Sequence, residues 1–214
     1  TTIPNKAERI DRYLGALKSE IRSRARSLPA DAEVHHIHFG GGSPDMLTPD
    51  QFSNLTTEIR HAFNLAEKAE IAAELDPRGV TEALANRLGQ LGFNRASLGV
   101  QDLSEQVQRL IHRIQPLSVV QQAVQRLRHA GIGAINTDIM YGLPAQTIER
   151  VEHTATAVAE LDPDRIAVFG YAHVPWFKKH QKAIPEEQLP GARERFDQML
   201  AAAETLEQHS YQAV

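Results

Sequence analysis

Cysteine is absent from all 214 residues. Its absence excludes disulfides, thiol nucleophiles and any metal held by thiolates of this chain. Long hydrophobic runs are absent too. None approaches the roughly 20 apolar residues of a membrane-spanning helix, and the opening stretch TTIPNKAERIDRYLGALKSE lacks the apolar centre of a secretory signal. Together these point to a cytoplasmic protein with no membrane insertion. Positive charge is in deficit: 23 Lys and Arg stand against 27 Asp and Glu, for a net charge of -4. The basic residues are scattered and form no stripe, so a nucleic-acid partner is not expected. A phosphate loop of the Gly-Lys-Ser/Thr kind is missing. A dinucleotide fingerprint counted from Gly40 fails as well, because Asp45 stands where its third glycine belongs. The first residue is not Met, and the chain stops within the motif-like run TLEQHSYQAV, so both ends read as cut.

What is present is an ordinary globular balance, 42% hydrophobic and 23% charged, in a length that buries one sizeable core. A single domain over residues 1–214 is expected. Ile10, Tyr13, Leu14, Leu17 and Ile21 recur at helical spacing, predicting an amphipathic helix over residues 7–27 closed near Pro29. Then VHHIHF alternates and breaks at Gly40, Gly41 and Gly42, which reads as a strand ending in a loop that a ligand can approach closely. Thr48, Pro49 and Gln51 supply an N-cap, a first-turn proline and a capping-box partner for a helix bearing Phe52, Leu55, Ile59 and Phe63 on one face. Further strands are predicted over 71–75, 95–100, 134–140 and 166–171. Helices are predicted near 80–91, 104–113, 118–130, 147–160 and 191–209, with Gly92 and Gly131 as stops. The strand starts recur close to the roughly 30 residues per unit of a (β/α) barrel. The fold class expected is therefore α/β, a partial (β/α) barrel of mostly parallel strands whose first strand is missing.

In such a fold, chemistry sits at the carboxyl ends of the strands. Five ends attract attention: Gly40 to Pro44, Glu74 to Arg78, Gly99 to Asp102, Asp138 to Pro144 and Gly170 to Pro175. Each has a plainer reading alone. Glycines punctuate loops everywhere, Glu74 or Asp138 could be a helix cap or a surface acid, and Gln101 and Arg113 could cap and solvate the next helix. Their repetition at one face favours a polar-lined cup, in which a strand-end carboxylate accepts from ribose hydroxyls or an amine. A metal reading of His35, His36 and His38 is rejected. His36 and His38 share a strand face, His35 points away, and no acid follows at ligand spacing, so half-buried strand histidines are expected and no metal site is assigned.

The runs DRYLGALKSEI, FGGGSP, AELDPRG, GFNRASLGVQD, VQRLIHRIQ, NTDIMYGLP, LDPDRIAVFGYAHVPW and SYQAV, spread from about Asp11 to the last residue, make the chain similar to the oxygen-independent coproporphyrinogen III oxidases, radical S-adenosylmethionine (SAM) enzymes of haem biosynthesis. The resemblance implies oxidative decarboxylation of two coproporphyrinogen III propionates to vinyl groups, giving protoporphyrinogen IX. The cofactors it implies are a 4Fe-4S cluster and two SAM molecules, and the partner an electron-donor protein. By motif position, Gly41 and Glu74 would contact the SAM at the cluster, and Gly42, Ser43, Gln101, Arg113, Asp138 and Ala172 would surround the second. Arg113 suits a methionine carboxylate and Asp138 a ribose or amine.

The family's Cys-x-x-x-Cys-x-x-Cys run would fall upstream of Thr1, and its C-terminal domain beyond SYQAV, where a strand is expected to begin. This chain by itself is therefore expected to be inactive. Two other readings stay open: a radical SAM-like haem-binding chaperone, and a barrel without radical chemistry whose glycines hold a phosphate. Because iron-sulfur clusters are held by thiolates, reconstituting this 214-residue chain with iron and sulfide should leave no stable charge-transfer absorption, and a stoichiometric cluster would overturn the expectation.

Overall fold

The computed structural model describes residues 7–42 and 44–214. Strands and helices alternate: α1 Ala7–Ala25, β1 Glu33–Phe39, α2 Pro49–Ala62, β2 Asn64–Leu75, α3 Glu82–Gln90, β3 Arg95–Gln101, α4 Glu105–Leu110, α5 Leu117–His129, β4 Ala134–Tyr141, α6 Ile148–Ala159, β5 Arg165–Gly170 and α7 Ala192–Gln208. The strands lie in the order β1-β2-β3-β4-β5. Sequential parallel strands joined through helices make this an α/β fold with the topology of a partial (β/α) barrel, as expected. Two compact units divide the chain, residues 1–97 with 125–134 and residues 98–124 with 135–214.

In the first unit, β1 and β2 pair in parallel with His36 opposite Glu70, Ile37 opposite Ile71 and His38 opposite Ala72, after an irregularity between Val34 and His36. Because side chains alternate along a strand, Ile37 and Phe39 face the helices, packing with Ile10 and Leu14 of α1 and Leu55 and Ile59 of α2. His36 and His38 take the opposite face. Phe39, Phe52 and Phe93 meet with ring centroids 5.0 to 5.9 Å apart, the Phe52–Phe93 pair edge to face. Such geometry adds to the large apolar area that aromatic rings bury. The start of α2 is set by its sequence: the Thr48 hydroxyl accepts from Gln51 N–H, and the Gln51 side chain accepts from Thr48 N–H. That reciprocal cap satisfies two backbone donors which a helix start leaves open. Gly92 and Gly131 both hold positive φ, 82° and 85°, as stop signals after α3 and α5.

In the second unit, β4 and β5 pair in parallel with Asn136 opposite Arg165 and Asp138 opposite Ala167. Ile135, Thr137 and Ile139 are buried, whereas Asn136, Asp138 and Met140 on the other face are half-buried. The core joins Val100, Val120, Ile139, Ala155, Val158 and Leu206.

Three sequence expectations give way. β2 begins at Asn64 rather than Ile71, since the charged run NLAEKAE hides a strand that pairs from its first residue with Glu33 of β1. The run SYQAV forms no strand: Tyr211 N–H donates to Leu206 C=O and closes α7, while its hydroxyl donates to Pro163 C=O. His35, His36 and His38 are exposed rather than half-buried. Each stands near a glutamate, Glu33 at 3.3 Å, Glu70 at 3.9 Å and Glu74 at 2.8 Å, a polar setting that leaves the rings in solvent.

Candidate functional site

In the first unit the strand ends of β1 and β2 bring Gly41 and Glu74 together. Gly41 N–H donates to Glu74 Oε2 at 3.2 Å, and His38 Nε2 lies 2.8 Å from Glu74 Oε1. Ala73 and Leu75 on either side of Glu74 are buried, yet its own side chain is 50% exposed, so the carboxylate is held from both oxygens while open to a ligand. Gly41 and Gly42 have φ of 70° and 88°, a left-handed region where any other residue would be strained. Gly40 is needed for space: a Cβ there would lie 2.6 Å from His38 Nε2 and 2.9 Å from Glu74 Oε1. Ser43 lies outside the described residues. Of the exposed residues in the ELDPR run, Arg78 is engaged by Asp76, which accepts from its N–H, Nε and a terminal nitrogen, whereas Glu74 stands at the glycine run. That hydrogen-bonded pairing with Asp76 raises the Arg78 pKa. A cavity of about 820 Å³ adjoins the glycine run, but its walls are mainly aliphatic, with Leu14, Leu17, Ile21 and Leu55 among them.

In the second unit Gln101 and Arg113 converge on Gly99. Arg113 donates to Gly99 C=O at 2.8 Å, and a Cβ on Gly99 would fall 2.8 Å from Gln101 Nε2 and 3.4 Å from the Arg113 guanidinium. Gln101 itself has φ 68°, which turns the chain sharply at the end of β3. Asp138 stands inside β4, three positions before its end, rather than at the strand terminus. Ala172 lies exposed just past β5, and its carbonyl accepts from Gln181 Nε2 at 3.0 Å.

The residues that sequence reasoning missed are glutamines. Gln108 Nε2 donates to the carbonyls of Asp102 and Gln115, and its oxygen accepts from Gln115 N–H. Gln146 Nε2 donates to Asp102 Oδ2 and Met140 C=O, and its oxygen accepts from Leu143 N–H. Gln198 binds Gly142 N–H and Gln146 C=O, while Gln181 binds Val174 N–H besides Ala172 C=O. All four are at most 8% exposed. Glutamine reads as a surface residue in sequence, so nothing marked them out. From sequence His38 reads as a half-buried strand histidine, with no sign of its contact to Glu74. Among the described residues no group of three or more His, Asp or Glu is placed to hold a metal ion, and no helix is long and apolar enough to cross a membrane.

The family model of the Radical SAM superfamily matches residues 8–158. The chain belongs to the Radical SAM superfamily. Among its curated relatives, the oxygen-independent coproporphyrinogen III oxidase of Bradyrhizobium diazoefficiens is 44% identical over 211 residues, 99% of this chain and 47% of the relative. The protein of the same name from Helicobacter pylori strain J99 is 42% identical over 204 residues, 95% of this chain and 45% of the relative. The solved coproporphyrinogen III oxidase (HemN) of Escherichia coli superposes with a TM-score of 0.90 at 39% identity, covering 94% of this chain and 46% of that one. The chain thus spans about half the length of these relatives.

The cofactors of a Radical SAM protein are SAM and a 4Fe-4S cluster. With no cysteine in the chain, the residues present do not fit a cluster, which thiolates hold. In the first unit, the half-exposed Glu74 carboxylate beside the glycine run has the acceptor chemistry that the ribose hydroxyls of SAM would need.

Asp102 offers a test of the glutamine scaffold. It is 1% exposed, accepting from Ser104 N–H and Gln146 Nε2, both at 2.7 Å, and burial pushes its carboxyl up to about 6 despite those bonds. The folded state therefore binds the proton more tightly than the unfolded state, so this group's contribution is best below pH 4 and declines as pH rises to about 6. In chemical denaturation, the stability of Asp102→Asn relative to the parent should rise by up to about 3 kcal/mol between pH 4 and 6.5. A difference that stays flat over that window would contradict the assignment.

Proposed function

We propose that the protein containing this chain carries out the radical SAM oxidative decarboxylation of coproporphyrinogen III to protoporphyrinogen IX, converting two propionate side chains to vinyl groups. The observation that carries the reading is the Glu74 carboxylate, half-exposed at the glycine run and fixed by His38 and Gly41 N–H. An ionised carboxylate so held accepts from ligand hydroxyls without reorganising. The names of relatives at about 40% identity and above support the substrate. SAM, when bound, supplies the group that removes a hydrogen atom from the propionate. In this proposal Gly41 and Glu74 bind one SAM, and Gln101, Arg113, Asp138 and Ala172 bind a second. An electron-donor protein and a cytoplasmic setting belong to the same proposal.

The two groups separate by mutation in the intact protein. Glu74→Gln keeps the volume but replaces a charged acceptor with a neutral amide. Hydrogen bonds to charged groups contribute roughly 1.5 to 3 kcal/mol, so SAM affinity should fall about ten- to a hundred-fold, and deoxyadenosine formation with it. Asp138→Asn should spare deoxyadenosine formation more than vinyl product formation. Both yields are measured in one reductant-limited reaction for each variant, and equal loss of both products in both variants would sink the assignment to separate SAM molecules.

A further inference from the structure

We propose that His38 is a positioning residue, which holds the Glu74 carboxylate in the one orientation that presents its free acceptor sites to a vicinal diol such as that of a ribose. The inference rests on the assignment of Glu74 to SAM. It goes beyond that assignment by naming what makes Glu74 competent.

A glutamate side chain with half its surface in solvent has little packing to select among its rotamers. Here two contacts select one. His38 Nε2 lies 2.8 Å from Oε1, and Gly41 N–H donates to Oε2 at 3.2 Å. An ionised carboxylate is acceptor-only, so the imidazole contributes its Nε2–H to this bond. Each carboxylate oxygen offers about two acceptor sites. These two bonds occupy one site on each oxygen and leave one on each, the spacing a vicinal diol can meet with two O–H donors.

The surroundings serve the same contact. His38 sits on β1 one pleat before the glycine run, on the strand face that also carries His36. Gly40 has no space for a methyl group because the His38–Glu74 pair occupies it, with a built Cβ only 2.6 Å from Nε2. Three positions within this short run thus have separate physical tasks. His38 orients the carboxylate, Gly40 leaves room for the pair, and Gly41 supplies the second donor from a left-handed conformation.

The test is a double-mutant cycle on the intact protein, with the dissociation constant for SAM measured by equilibrium dialysis. His38→Ala should weaken binding about ten-fold, the loss expected for one charge-assisted hydrogen bond. In a Glu74→Ala background the same substitution should cost nothing further, because a positioning residue acts only through the group it positions. His38→Gln, whose amide nitrogen reaches a similar place, should recover most of the affinity. Gly40→Ala, which pushes the pair apart, should reproduce the His38→Ala loss. Equal loss from His38→Ala in both backgrounds, no rescue by His38→Gln, or full affinity in Gly40→Ala would overturn the proposal. If Glu74→Ala itself leaves SAM affinity unchanged, the assignment of Glu74 to SAM fails first and the role of His38 falls with it. If Glu74→Ala weakens binding while His38→Ala does not, the assignment stands and only the positioning role is lost.

Discussion

Parallel strands feeding short loops end with backbone N–H and C=O groups that no neighbouring strand pairs. Burying such groups without partners costs roughly 1 to 3 kcal/mol each. In the second unit of this chain glutamine side chains supply the missing partners. Gln108, Gln146, Gln181 and Gln198 each bind backbone on both sides of their amide, reaching loops that follow β3, β4 and β5. An amide suits the task because it donates and accepts at once and brings no charge to desolvate. These amides hold the backbone that follows Gln101 at the end of β3 and the backbone around Arg113 and Ala172.

The first unit solves the corresponding problem differently. Its strand-end loop is made of glycines, and the groups that fix it are ionisable. His38 and Glu74 bond across the ends of two strands, and Gly41 N–H completes the arrangement. A carboxylate that must remain open to a ligand cannot be enclosed by packing, so directional bonds replace packing as the constraint. Asp76 and Arg78, two residues further on, are by contrast turned upon each other and close the following turn.

Much of this was legible in the sequence wherever a local rule governs the backbone. The Thr48–Gln51 cap and the stops at Gly92 and Gly131 depend on single residues, and each forms as read. Strand starts emerged where alternation was strong, as in VHHIHF. The first half of β2 did not, because Glu67 and Lys68 point to solvent and break the pattern of burial that alternation relies on. Motif resemblance and the strand-end rule pick out Glu74 and Gly41 as candidate site residues, but not the hydrogen bond between them. The pairing of His38 with Glu74 spans 36 residues and has no periodic signature, and neither does a buried glutamine. Polar residues that act through long-range geometry are visible only once the strands are in register.

Both constructions lie at strand ends of a Radical SAM chain, and the proposed function, SAM-dependent decarboxylation of coproporphyrinogen III, rests on them. The most direct measurement is turnover by the intact protein under anaerobic, reducing conditions with SAM, followed by chromatography of the tetrapyrrole product. The account predicts protoporphyrinogen IX formation that depends on SAM, with deoxyadenosine released alongside. Tight haem binding without any conversion of coproporphyrinogen III would contradict it and favour a haem-carrying relative of the oxidases.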